Sequence, residues 1–151
     1  MIAMRQPFVF RLESVLRLRV RAEQKMCGPV AAAQARVRDC ELRVKNIEQR
    51  IEAAGAQLER DLKRGLVDGA RVSAHAAHVA ALRAQANQAK RELGAANARL
   101  AVAQEALNKA MSQRKSLQKL RERHQDLWSQ REQKEQSAVN DEVAARMFGW
   151  T

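Results

Sequence analysis

The sequence predicts an all-α fold: a long antiparallel two-helix coiled-coil hairpin with a kink near Gly28-Pro29 and a C-terminal helical overhang. Three observations carry this expectation. Apolar residues recur in steps of three and four along two long stretches, glycines cluster in one place between them, and the composition offers little from which to build a globule. Aromatic residues are 3% of the 151-residue chain, tyrosine is absent, and much of the 46% hydrophobic content is alanine. Such a composition with heptad periodicity is the signature of long helices. One hairpin is expected over residues 1–151, with helix 1 at about 8–63, the turn at about 64–70 and helix 2 at about 71–146.

In the first stretch Val30, Ala33, Val37, Cys40, Val44, Ile47, Ile51, Ala54 and Leu58 follow in unbroken steps of three and four. This is an a/d seam whose period predicts left-handed supercoiling. Asp39/Arg43, Glu41/Lys45 and Glu59/Lys63 set acid before base at i, i+4 on the outer face, the order that supports a solvated helix. Upstream, Leu12, Leu16 and Met26 hold the same register. Gly28-Pro29 interrupts it, because proline removes a backbone donor and disfavours helix at the residue before it. A kink or short break between two collinear pieces is expected there.

Lys63-Arg64-Gly65-Leu66-Val67-Asp68-Gly69 reads as a helix C-cap and turn, with Asp68 or Ser73 able to cap the next helix. A second seam follows: Val79, Leu82, Ala86, Ala89, Leu93, Ala96, Leu100, Ala103, Leu107 and Ala110. Two seams joined by one short break imply a chain folded back on itself. Alanine opposite Val, Ile or Leu lets helices approach closely but buries little area per layer, so modest stability is expected. Gly94 suggests a close approach or a soft point. Near Arg114 the stripe is expected to slip by one residue to Leu117, Leu120, His124 and Leu127, a local stammer. With the turn centred near Val67, Phe8 falls opposite the region of Leu127. Residues from Arg131 to Thr151, including Met147, Phe148 and Trp150, then overhang without an intramolecular partner.

The formal charge is +11, and it is uneven. Arg5, Arg11, Arg17, Arg19, Arg21 and Lys25 stand against Glu13 and Glu23 alone, and Lys109, Arg114, Lys115, Lys119, Arg121 and Arg123 against Glu122 alone. A hairpin lays these segments side by side, making its terminal end strongly basic. Nucleic acid and an acidic protein cleft both fit such a charge. No recognised nucleic-acid motif or aromatic stacking platform accompanies it. Catalysis has no support either: there is no glycine-rich phosphate loop, no nucleophile motif and no carboxylate–histidine cluster. No small-molecule substrate, cofactor or metal is expected.

No apolar run is long enough to span a bilayer, and the N-terminal residues lack the features of a signal peptide. Cys27 and Cys40 lie about 20 Å apart along one helix, beyond disulfide reach. Two reduced thiols in a cytoplasmic compartment are expected, with Cys40 on the apolar stripe. His75-Ala76-Ala77-His78 puts two imidazoles on one helix face. Two ligands do not make a zinc site, so ordinary coiled-coil residues or a partner surface remain.

Phe8-x-Phe10-Arg11-Leu12-Glu13-x-Val15-Leu16-x-Leu18-Arg19 with Glu23 resembles the opening of FliJ proteins. Leu117-Gln118-Lys119-Leu120-Arg121-Glu122-Arg123, then Arg131-Glu132-x-Lys134 and Asp141-Glu142-x-Ala144-x-x-Arg146, resembles that family's closing segment. The likeness spans nearly the whole chain. The YscO-like injectisome stalk proteins share the architecture, and the N-terminal phrase favours the flagellar branch. The resemblance implies a non-enzymatic component of the flagellar type III export apparatus, the central stalk of a hexameric export ATPase, which also contacts the export gate membrane protein and export chaperones. It implies ring contacts at Arg17, Arg19, Arg21, Lys119, Arg121 and Arg123. It also places a gate-binding surface at His75, His78, Val79, Leu82 and Gln85, with histidines where relatives carry aromatics. The implied location is the cytoplasmic face of the inner membrane, reached only through partners. A basic coiled-coil scaffold or nucleic-acid-binding module is the alternative.

Overall fold

The structure is a computed structural model that describes residues 6–149. Two helices, α1 over Glu13–Lys63 and α2 over Gly69–Phe148, make up nearly all of it, and no strand occurs among the described residues. Their packing forms two compact units. One comprises Met26–Leu107, and the other pairs Met1–Lys25 with Asn108–Thr151. Arg5 and Trp150 lie outside the described residues.

The Met26–Leu107 unit contains the turn and the apolar core. Every residue of the first seam from Val30 to Leu58, and of the second from Val79 to Leu107, is buried or half-buried. The layers pair large side chains of α1 with alanines of α2. Ile47 packs with Ala86 and Ala89, flanked by Val44 and Ile51, and Val37 and Cys40 pack with Ala96 beside Leu93 and Leu100. Cys40 is buried in this core while Cys27 is exposed, and neither forms a disulfide. Outside the seam, Arg43 does not pair with Asp39 but crosses to Glu92 (2.9 Å), and Lys90 crosses to Glu48 (3.4 Å). Only Glu59/Lys63 of the three expected i, i+4 pairs closes, at 3.5 Å. A long arginine gains as much by reaching the facing helix, where both exposed pairs stay weak.

The turn is built as its residues require. Gly65 has a φ of 67°, the left-handed conformation that glycine adopts without a Cβ penalty. The Leu66 N–H then donates to the Asp61 carbonyl and the Gly65 N–H to that of Leu62, satisfying the last carbonyls of α1. Asp68, not Ser73, caps α2: its carboxylate accepts from the Arg71 N–H at 2.9 Å. The Arg71 guanidinium closes the loop on the Leu66 carbonyl.

Three expectations change. α1 runs unbroken through Gly28 and Pro29, so no short break divides it. Gly28 has no Cβ to clash with the proline ring, which removes much of the objection to helix before proline. α1 also begins at Glu13 rather than near residue 8. Residues 8–10 are neither helix nor strand, and their side chains differ sharply in exposure. Phe10 is 5% exposed and Val9 77%. Finally, Gly94 is exposed and a Cβ there would meet nothing within 4 Å, so it marks no close approach.

These two glycines make opposite predictions. Gly94→Ala should raise stability by about 0.5–1 kcal/mol, the entropic difference in an unstrained helix. Gly65→Ala should lower it by about 1–2 kcal/mol through the left-handed backbone alone. Urea denaturation followed by circular dichroism separates the two signs.

Candidate functional site

The unit that pairs Met1–Lys25 with Asn108–Thr151 holds the chain's densest positive charge, and its geometry follows from where the few acids go. Glu13 and Glu23 are the only carboxylates in residues 1–25. Both turn inward. Glu23 receives the Arg114 guanidinium, Nε at 2.5 Å with a second contact from Nη2 at 3.3 Å. Glu13 receives Arg121 Nε at 3.0 Å. The Arg114–Glu23 side chains are 22% and 20% exposed. The hydrogen bond that Arg114 donates to Glu23 raises the Arg114 pKa above its already high ordinary value, with desolvation opposing and the carboxylate's charge assisting. The guanidinium is therefore ionised at any working pH.

These pairs also overturn the expected stammer. From Ala110 the covered positions continue as Arg114, Leu117, Arg121 and Trp128, while Leu127 and His124 are exposed. Leu120 is half-covered beside Arg121. His124 belongs to either register, so it is Trp128, covered where Leu127 is exposed, that restores the original phase, with arginines at two of its positions. An arginine can lay its aliphatic stem along a seam while its head finds a partner. A purely apolar pattern misses such a residue and slides to the next leucine.

With Glu13 and Glu23 engaged internally, the outer faces are cationic. Arg17, Arg21, Lys119 and Arg123 are exposed and have no ion-pair partner among the described residues. Arg19 is exposed and donates to Gln113 at 2.9 Å. Arg121 differs from the other five expected contacts, since it is half-covered, paired with Glu13 and set 5.9 Å from the centre of the Phe8 ring. Around it gathers an aromatic cluster of which the sequence showed only the Phe8 end. Phe8 meets Trp128 with ring centres 6.1 Å apart, and Phe10 meets the His124 edge at 5.7 Å.

The second expected surface lies in the Met26–Leu107 unit. His75 and Val79 are half-buried and line a shallow hollow of about 510 Å³ with Ala76, Ala80 and Arg83. His78 and Gln85 are exposed. Leu82 is 5% exposed and belongs to the core between the helices, where no outside partner reaches it. Val79 and Leu82 are successive seam positions, and of the two Leu82 lies deeper. Among the described residues no group of three or more His, Cys, Asp or Glu gathers as a metal cluster. Among the described residues no helix is long and apolar enough to cross a membrane.

A two-helix hairpin with a cationic terminal unit is the architecture of a coiled-coil interaction protein. The family description "Flagellar FliJ protein" matches residues 8–149. The chain belongs to the flagellar FliJ protein family, a family of the flagellar type III export apparatus. Comparison with curated proteins returned no match, and neither did comparison with solved structures.

The seam pair makes a testable case. Arg114→Met should lower the urea midpoint, because it takes the guanidinium away from the covered Glu23 carboxylate. Combining it with Glu23→Leu should restore the midpoint to the parent value or above, since an apolar pair of similar volume fills the same layer. Circular dichroism of the two variants and of Glu23→Leu alone gives the full cycle.

Proposed function

We propose that this chain is the non-enzymatic central stalk of a flagellar export ATPase ring, working on the cytoplasmic side of the inner membrane and linking the ring to the export gate and to export chaperones. The observation that carries the reading is the unequal fate of charge in the Met1–Lys25 and Asn108–Thr151 unit. Its two N-terminal carboxylates are spent within the seam, while Arg17, Arg19, Arg21, Lys119 and Arg123 face outward. A smooth helical surface with unpaired cations suits a pore lined by acidic loops, where long-range attraction steers entry and no deep pocket is needed. Arg121 contributes indirectly by holding Glu13 and Phe8 in place.

The gate contact is assigned to the outer face just after the turn, through His75, His78, Val79 and Gln85. Leu82 supports that face from beneath. Imidazoles present less apolar area than the aromatics of relatives, so the contact is weaker and more polar. Nothing in this mechanism needs a cofactor, a small-molecule substrate or nucleic acid. Membrane association arises through the partners alone.

Mixing the protein with its host's export ATPase tests the reading. Hydrolysis and hexamer formation should rise, and Arg17→Glu/Arg21→Glu/Arg123→Glu should weaken that effect by about tenfold or more, consistent with loss of several charge contacts. No stimulation and no complex at moderate salt would count against the stalk. DNA binding that falls steeply with salt would instead favour the basic-module alternative.

A further inference from the structure

Beside the aromatic cluster lies a hollow of about 340 Å³, walled by Phe8, Val9, Leu127 and Trp128 and flanked by Arg11 and Arg131. Neither arginine has an ion-pair partner among the described residues, and no carboxylate lines the hollow. The nearby acid of α1, Glu13, is already held by Arg121. Val9 and Leu127, the aliphatic walls, are both exposed. An apolar hollow and two guanidinium groups without ion-pair partners are thus brought together in one place.

We propose that this hollow is a docking site for an acidic peptide segment of a partner protein, one that carries a bulky aliphatic or aromatic side chain between carboxylates. The side chain fills the hollow against Trp128 and Leu127, a gain set by apolar area removed from water. The carboxylates pair with Arg11 and Arg131, whose planar forks suit them. Buried Trp and Arg anchors are the residue types that concentrate binding energy at such interfaces. Single-stranded nucleic acid fits less well. The Phe8 ring is already engaged by Trp128 and Arg121 and Phe10 by His124, leaving no open platform on which bases could stack. The inference stands apart from the stalk reading, whose exposed cations do not line the hollow.

Trp128 reports on the site directly once the only other tryptophan is removed with Trp150→Phe. Fluorescence titrations of that full-length chain would use four probes: the capped peptides DELFED, DESSED and KKLFKK, and oligothymidylate. DELFED should shift the Trp128 emission and bind about tenfold or more tighter than DESSED, the apolar pair supplying the difference. Arg11→Glu/Arg131→Glu should abolish its binding, and Leu127→Ser should weaken it, with helicity unchanged because all three residues are exposed. Equal binding of DESSED, indifference to the charge reversal, or no binding of DELFED at millimolar concentration would each overturn the proposal. Tighter binding of oligothymidylate would overturn it in favour of nucleic acid. None of these readouts involves the ATPase, so failure here and failure of the stalk reading are distinguishable.

Discussion

An antiparallel helix pair has one packing variable that decides almost everything else, the register in which its two seams face each other. In this chain the turn sets it. The left-handed Gly65 ends α1, the Asp68 carboxylate begins α2, and few residues intervene. Within the Met26–Leu107 unit, residues at about equal distance from Val67 are thereby made neighbours. In the Met26–Leu107 unit Ile47 meets Ala86 and Ala89, and Val37 meets Ala96. In the other unit Glu13 meets Arg121, and Phe8 meets Trp128. A slip of one residue would set bulky side chains against bulky ones and part both carboxylates from their arginines.

The two units use that register differently. Around Ile47 and Val37 the seam is apolar with small partners, and stability comes from area removed from water. Near the chain termini the seam contains charges. A covered ion pair adds little net stability over an apolar pair, but it strongly penalises any arrangement that separates its members. The consequence for function lies outside the seam. Glu13 and Glu23, once engaged, no longer offset the arginines on the outer faces. A modest sequence imbalance becomes a concentrated cationic surface.

The departures from expectation share this origin. The second seam was legible as far as Ala110 because its positions are Val, Leu and Ala, each with the same preference for burial. Beyond it the pattern seemed to slip because arginine at positions 114 and 121 belongs to either environment, depending on what faces it. Family likeness puts Leu82 on an outer surface, whereas its place in the seam buries it. α1 starts at Glu13, and the segment before it lets Phe8 reach Trp128 and Phe10 reach His124 on α2.

By itself, then, the sequence determined the two helices, the turn between them, the seam from Val30 to Leu107 and the excess of positive charge, since these rest on local propensity and on the periodicity of apolar residues. Only the tertiary structure decided which charges are neutralised and which remain available, that Pro29 is accommodated within a continuous helix, and that Phe8, Val9, Leu127 and Trp128 wall a hollow flanked by unpaired arginines. The reason is that a charge or a ring has no fixed side of a helix to prefer. Its role depends on the residue that the fold sets opposite it, and in an antiparallel pair that residue can lie a hundred positions away.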